Sequence, residues 1–158
     1  MKQISLRAAV IVFGAGTLTL SGLAYAAGSL KASTNKDLVD AMHGEAFAAF
    51  KYLAYADAAR AHGHPEVAEL FERTAKVERD EHFVEHAKRV GLVGTDVENL
   101  RDAIKGESYE TSDMYPAMAR RAEVVDDKDA AWHFEEVGGD EAKHRDAFQA
   151  ALAKISAN

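Results

Sequence analysis

The chain has 158 residues, enough for one domain with a core of its own and too few for two. It has no cysteine, which excludes disulfides, thiolate-bound metals and iron–sulfur clusters. Its net charge of −7 argues against nucleic acid and anionic membrane surfaces as partners.

Residues 1–26 read as a secretory signal peptide. Lys2 and Arg7 make a basic start, Ala8 to Leu23 is apolar and uncharged, and Ala24-Tyr25-Ala26 supplies a small-x-small cleavage site. The apolar run is short for a membrane span and is interrupted by Gly14, Gly16 and Ser21. The mature protein is therefore expected outside the cytoplasm, periplasmic or extracellular, with no membrane attachment. Losing two cations and no acid takes its charge from −7 to −9. Residues 27–34 read as a polar linker and residues 35–158 as the folded domain.

The periodicity predicts four helices. The first runs from about Asn35 to Ala61, with Leu38, Ala41, Met42, Ala49, Tyr52, Ala56 and Ala59 on one face. His62-Gly63-His64 breaks it. Pro65 suits the first position of a second helix, which runs to Val90 and stops at Gly91. Thr95 and Glu98 form a capping box for a third helix that ends near Val124. Asp126-Asp127 is the next turn, and a fourth helix runs from Lys128 to Ser156. Together they make an all-α four-helix bundle. The chain also repeats itself. Leu38 to Phe47 matches Leu100 to Tyr109 at an offset of 62, and Phe71, Glu72 and Glu78 match Phe134, Glu135 and Glu141 at an offset of 63. Helices one–two and three–four are thus two copies of one hairpin.

Several glutamates interrupt the apolar stripes. Glu45 lies between Met42 and Ala49, Glu107 and Glu110 between Ile104 and Met114, and Glu141 with His144 between Val137 and Phe148; Glu78 follows Thr74 and Val77. Carboxylates buried without a partner are costly, and no stripe supplies a Lys or Arg. Counted from the turns, Glu45, Glu78, Glu110 and Glu141 fall within about 14–18 residues, so they meet at one height in a bundle rising about 1.5 Å per residue. Carboxylates and imidazoles converging from four helices are the recipe for a dimetal site, suited to two iron ions or to manganese.

Gly106-Glu107-x-x-Glu110-x-x-x-Met114-Tyr115-Pro116, Gly44-Glu45 with Tyr52, and Glu141-x-x-His144 resemble the rubrerythrins, a ferritin-like family. The resemblance covers about Asn35 to Ile155. It implies carboxylate ligands at Glu45, Glu78, Glu107, Glu110 and Glu141 and an imidazole ligand at His144. Tyr52 and Tyr115 would hydrogen-bond to ligating carboxylates. The implied activity is peroxide reduction at a di-iron centre, with iron oxidation related to it.

The sequence departs from the family in three places. Glu78 is followed by Arg79-Asp80-Glu81-His82, so the histidine of a Glu-x-x-His motif comes one residue late. The stripe also shifts at Phe83, Ala87 and Val90, and the repeat offset falls from 63 at Glu78 to 62 at His82. One extra residue absorbed as a π turn explains all three facts and makes His82 the ligand, with Glu81 as the rival. A rubredoxin-like module is missing, so electrons must come from a separate donor protein. Finally, residues 91–95 span at most about 18 Å, whereas a crossover along the bundle needs about 35 Å. The topology is therefore either up-down-up-down or a domain-swapped homodimer, and the second is favoured.

The expected activity is the reduction of hydrogen peroxide to water. A ferroxidase acting with peroxide or oxygen, or a metal-binding protein without turnover, are the other readings. His43, His62, His64, His86 and His133 are expected at turns or on the surface, except that a π turn in helix two would bring His86 near the site.

Overall fold

In the computed structural model, which describes residues 30–156, four helices account for almost everything. Helix α1 spans Ala32–Ala61. Helix α2 combines an α segment Pro65–Val77, a π turn Glu78–Phe83 and a second α segment Val84–Val90. Helix α3 is built the same way, from Asp96–Tyr109, a π turn Glu110–Met114 and Tyr115–Val124. Helix α4 is Lys128–Ser156. The signal peptide and residues 27–29 of the linker lie outside the described residues. At its C-terminal end the linker is helical, because α1 begins at Ala32, with no side-chain cap, rather than at Asn35. Among the described residues no helix is long and apolar enough to cross a membrane.

The helix ends follow the local chemistry. Gly63 and Gly91 take positive φ where α1 and α2 stop. Pro65 opens α2. At the start of α3 the Thr95 hydroxyl accepts from the Glu98 amide at 3.3 Å, and the Thr95 amide donates to Glu98 Oε2 at 2.8 Å.

The helices pair as two antiparallel hairpins, α1 with α2 and α3 with α4. No helix of one hairpin touches a helix of the other. Each hairpin is zipped along a seam of alanines. Ala49, Ala56, Ala59, Ala68, Ala75 and Ala87 are buried in the first, and Ala119, Ala122 and Ala131 in the second. Apart from Met42, no large apolar side chain is buried among the described residues, while Phe50, Leu53, Leu70 and Ile155 remain exposed. Alanine permits close helix approach but removes little apolar area from water. These are the four helices of a ferritin-like bundle, arranged as two separate halves. Each half offers an uncovered apolar face.

Candidate metal centre

Each hairpin carries one cluster of ligand-type side chains at mid-height. In the first, Glu45 of α1 meets Glu78 and His82 of α2. In the second, Glu107 of α3 meets Glu141 and His144 of α4. The ligand atoms of each trio lie within 4.8 Å of one another. The trios match closely. His82 Nδ1 is 2.6 Å from Glu78 Oε2 and 4.0 Å from Glu45 Oε1. His144 Nδ1 is 2.7 Å from Glu141 Oε2 and 4.0 Å from Glu107 Oε2. The carboxylates are half-buried and the imidazoles more open.

The π turn at Glu78–Phe83 explains how the first trio forms despite its longer spacing. A wider turn holds one extra residue, so His82 arrives where His144 stands in the other hairpin. Glu81 is exposed and belongs to neither trio. Glu110 opens the π turn of α3 and is half-buried. It lies outside the second trio yet near enough for its charge to act on Glu107.

Burial raises the Glu107 carboxyl above the ordinary carboxylate range. A proton shared with Glu141 and the negative charges of Glu141 and Glu110 add to the shift, and His144 opposes it. Glu107 Oε2 is sealed from water without a donor, since another carboxylate can satisfy it only by sharing a proton. Converging acids with an unsatisfied buried oxygen, an imidazole beside them and no cationic side chain in the trio fit a metal ion. The oxygen-rich set with one nitrogen suits iron or manganese.

The tyrosines take different places. The Tyr115 phenol is pushed above its ordinary value by burial and by the carboxylates of Glu141, Glu110 and Glu107, so it borders the second trio and keeps its proton. Tyr52 packs against Phe71 and Tyr55, with ring centroids 5.9 and 6.3 Å away. Gly138 lets the second hairpin close beside its trio, because a Cβ there would meet Tyr115 Cβ at 3.1 Å. His43, His62, His64 and His133 are exposed. His86 leaves the surface, as expected where the π turn forms in α2. It is half-buried one turn beyond His82, and its Nδ1 is shielded from water without a partner.

The rubrerythrin family model matches residues 36–152. A rubrerythrin of Porphyromonas gingivalis is 34% identical over 145 residues, covering 80% of this chain and 70% of that protein. A nigerythrin of Nitratidesulfovibrio vulgaris is 36% identical over 139 residues, covering 79% of this chain and 68% of its own. A putative rubrerythrin of Methanocaldococcus jannaschii is 31% identical over 148 residues. With two Glu-Glu-His trios that fit two metal ions, the chain belongs to the rubrerythrin family of ferritin-like di-iron carboxylate proteins.

Proposed function

We propose that this protein is an exported peroxide reductase. It takes up hydrogen peroxide with two electrons and two protons and yields two waters. The observation that carries the reading is the pair of matched trios, one on each hairpin. A di-iron pair, when bound, supplies the two electrons that O–O cleavage requires. Glu45, Glu78, His82, Glu107, Glu141 and His144 would hold the two ions, and Glu110 stands beside the second trio as a further carboxylate. Tyr115 keeps a proton on its hydroxyl at the edge of the site. It is a proton source for the departing oxygens. Tyr52 is proposed as the counterpart of Tyr115 on the other side.

The two trios make one centre only if they face each other. We propose that they do so across two chains, in a domain-swapped homodimer where hairpin one of each subunit packs on hairpin two of its partner. The short linker, the untouched faces of the hairpins and their exposed apolar residues support this arrangement. The signal-like leader supports action outside the cytoplasm, where a separate carrier must return the electrons.

Stopped-flow oxidation of the diferrous protein tests the activity. Hydrogen peroxide is expected to oxidise it faster than oxygen does, with the iron retained afterwards. Iron that leaves after each oxidation would make the protein a ferroxidase, and no reaction with either oxidant would leave a metal-binding protein.

A further inference from the structure

The faces of the two hairpins that lie away from the trios differ. In the second hairpin a groove of about 430 Å³ runs between α3 and α4, lined by Tyr115, Pro116, Glu123, Phe134, Glu135 and Gly139 among others. Following the repeat at an offset of 63, the first hairpin has Arg60 and Glu72 where the second has Glu123 and Glu135. Arg60 and Glu72 bridge the first hairpin with an ion pair at 2.7 Å. Two glutamates cannot do so, and neither Glu123 nor Glu135 is paired with a cation among the described residues. Gly138 and Gly139 stand where the first hairpin has Ala75 and Lys76, which opens the groove further.

The ground around this groove is unusually apolar for an outer surface. Trp132, Val124 and Val125 are 61%, 86% and 65% exposed. Their counterparts in the first hairpin are Glu69, Ala61 and His62. Trp132 precedes Glu135 by three residues and Gly139 by seven, so all three share one face of α4. At about 100° per residue, Glu135, Gly139 and Ala142 lie about 100–160° around α4 from Glu141. The groove therefore stays outside when the trio-bearing faces are covered. It also reaches close to the centre. Gly138 touches Tyr115 and lies one turn, about 5 Å, before Glu141.

Resting on the peroxide-reductase reading, we propose that this outer face of the second hairpin docks the electron donor, a one-electron carrier protein with a basic rim around an apolar contact. Residues 120–136 hold six acids and three bases, which complements a basic rim, and an exposed Trp is a favoured anchor for a transient partner. Tyr115 and Gly138 form the thin wall through which the electron passes. Two encounters, each oxidising one carrier by one electron, restore the two electrons consumed per peroxide.

Trp132 is the only tryptophan, so its fluorescence reports on this face. The test uses the full-length, iron-loaded mature protein, oxidised by peroxide and then mixed with a reduced basic c-type cytochrome or a reduced acidic rubredoxin. The basic carrier is expected to quench Trp132 and to re-reduce the centre faster, with a rate that falls as salt rises. Trp132→Ser with Glu135→Lys should lower that rate about tenfold or more. Gly139→Leu should do likewise by filling the groove, since a Cβ there meets nothing within 4 Å. Iron content and single-turnover oxidation by peroxide should be unchanged in all of these. Unchanged re-reduction in the variants would overturn the proposal. So would Trp132 emission that shifts on dilution of the protein alone, which would assign the face to a second copy. A protein that peroxide fails to oxidise refutes the peroxidase reading, while carrier quenching at Trp132 still decides the docking site.

Discussion

The two hairpins are copies that have diverged in opposite places. The first carries its π turn in the second arm, at Glu78–Phe83, and the second carries it in the first arm, at Glu110–Met114. Both still present a Glu-Glu-His trio with nearly the same distances. The outer faces did not stay alike. One is closed by Arg60 and Glu72, whereas the other is open between Glu123 and Glu135. The comparison teaches that the trio geometry is the constrained quantity. Insertions are absorbed around it as wide helical turns, and surface residues are free to take up separate roles.

The largest effect should come from separating the trios genetically. Glu45→Ala removes a ligand from the first hairpin and Glu141→Ala one from the second, and each variant alone should lose bound iron and peroxide reactivity. Mixed after unfolding and refolding, swapped heterodimers contain one site with both trios intact. About a quarter of the wild-type sites should then return. No recovery would mean that both trios of a site come from one chain, and the equivalence of the hairpins as exchangeable halves would break.

Next in size is the effect of the π turn in α2. His82→Ala and His144→Ala should weaken iron binding by similar factors, at least about tenfold to hundredfold. Glu81→Ala should change it less than about twofold, because Glu81 is exposed and lies outside the trio. Equal damage from Glu81→Ala and His82→Ala would show that the turn delivers the wrong residue in this comparison. Isothermal titration with ferrous or manganous ion reads all three.

Smaller effects bear on the seam. Gly138→Ala places a methyl 3.1 Å from Tyr115 Cβ, and the backbones must part to admit it, so about 1 kcal/mol of stability should be lost. Gly139→Ala enters open space and should gain up to about 1 kcal/mol from helix propensity. Denaturant midpoints measure both, and equal signs would show that the close approach at Tyr115 is not what retains Gly138.

The smallest effect is the pH response of the metal-free protein. Burial and neighbouring carboxylates raise Glu107 in the folded state, so the folded chain holds that proton more tightly than the unfolded one. The stability from this proton is full below the ordinary carboxylate range and is lost as pH rises through the raised value. Urea midpoints should therefore fall as the pH rises above the ordinary carboxylate range and through the raised value. In the iron-loaded protein the trend should reverse, because ligation needs the carboxylate ionised.

Much of this was legible in the sequence because ligands leave a mark that ordinary surface residues do not. Glutamates interrupting an apolar stripe identified both trios, and the late His82 with its change of offset located the first π turn. The second π turn leaves a fainter trace. The offset is 62 at Glu45 and Glu107 but 63 at Tyr52 and Tyr115, so one residue is gained between them. The ligand spacing itself gives no sign of it, since Glu107 precedes the insertion. The half-buried His86 was legible only through the π turn, because a single histidine carries no periodic signal of its own. The outer groove was not legible, since it depends on an ion pair present on one hairpin and missing on the other.

The alanine seam has a consequence for how the protein persists at low abundance. A hairpin that buries little beyond small side chains gains little from folding by itself. If the hairpins pair between chains as proposed, that stability belongs to an encounter rather than to a chain and follows mass action. The thermal midpoint should climb with protein concentration, and dilute chains should be the first lost to proteolysis.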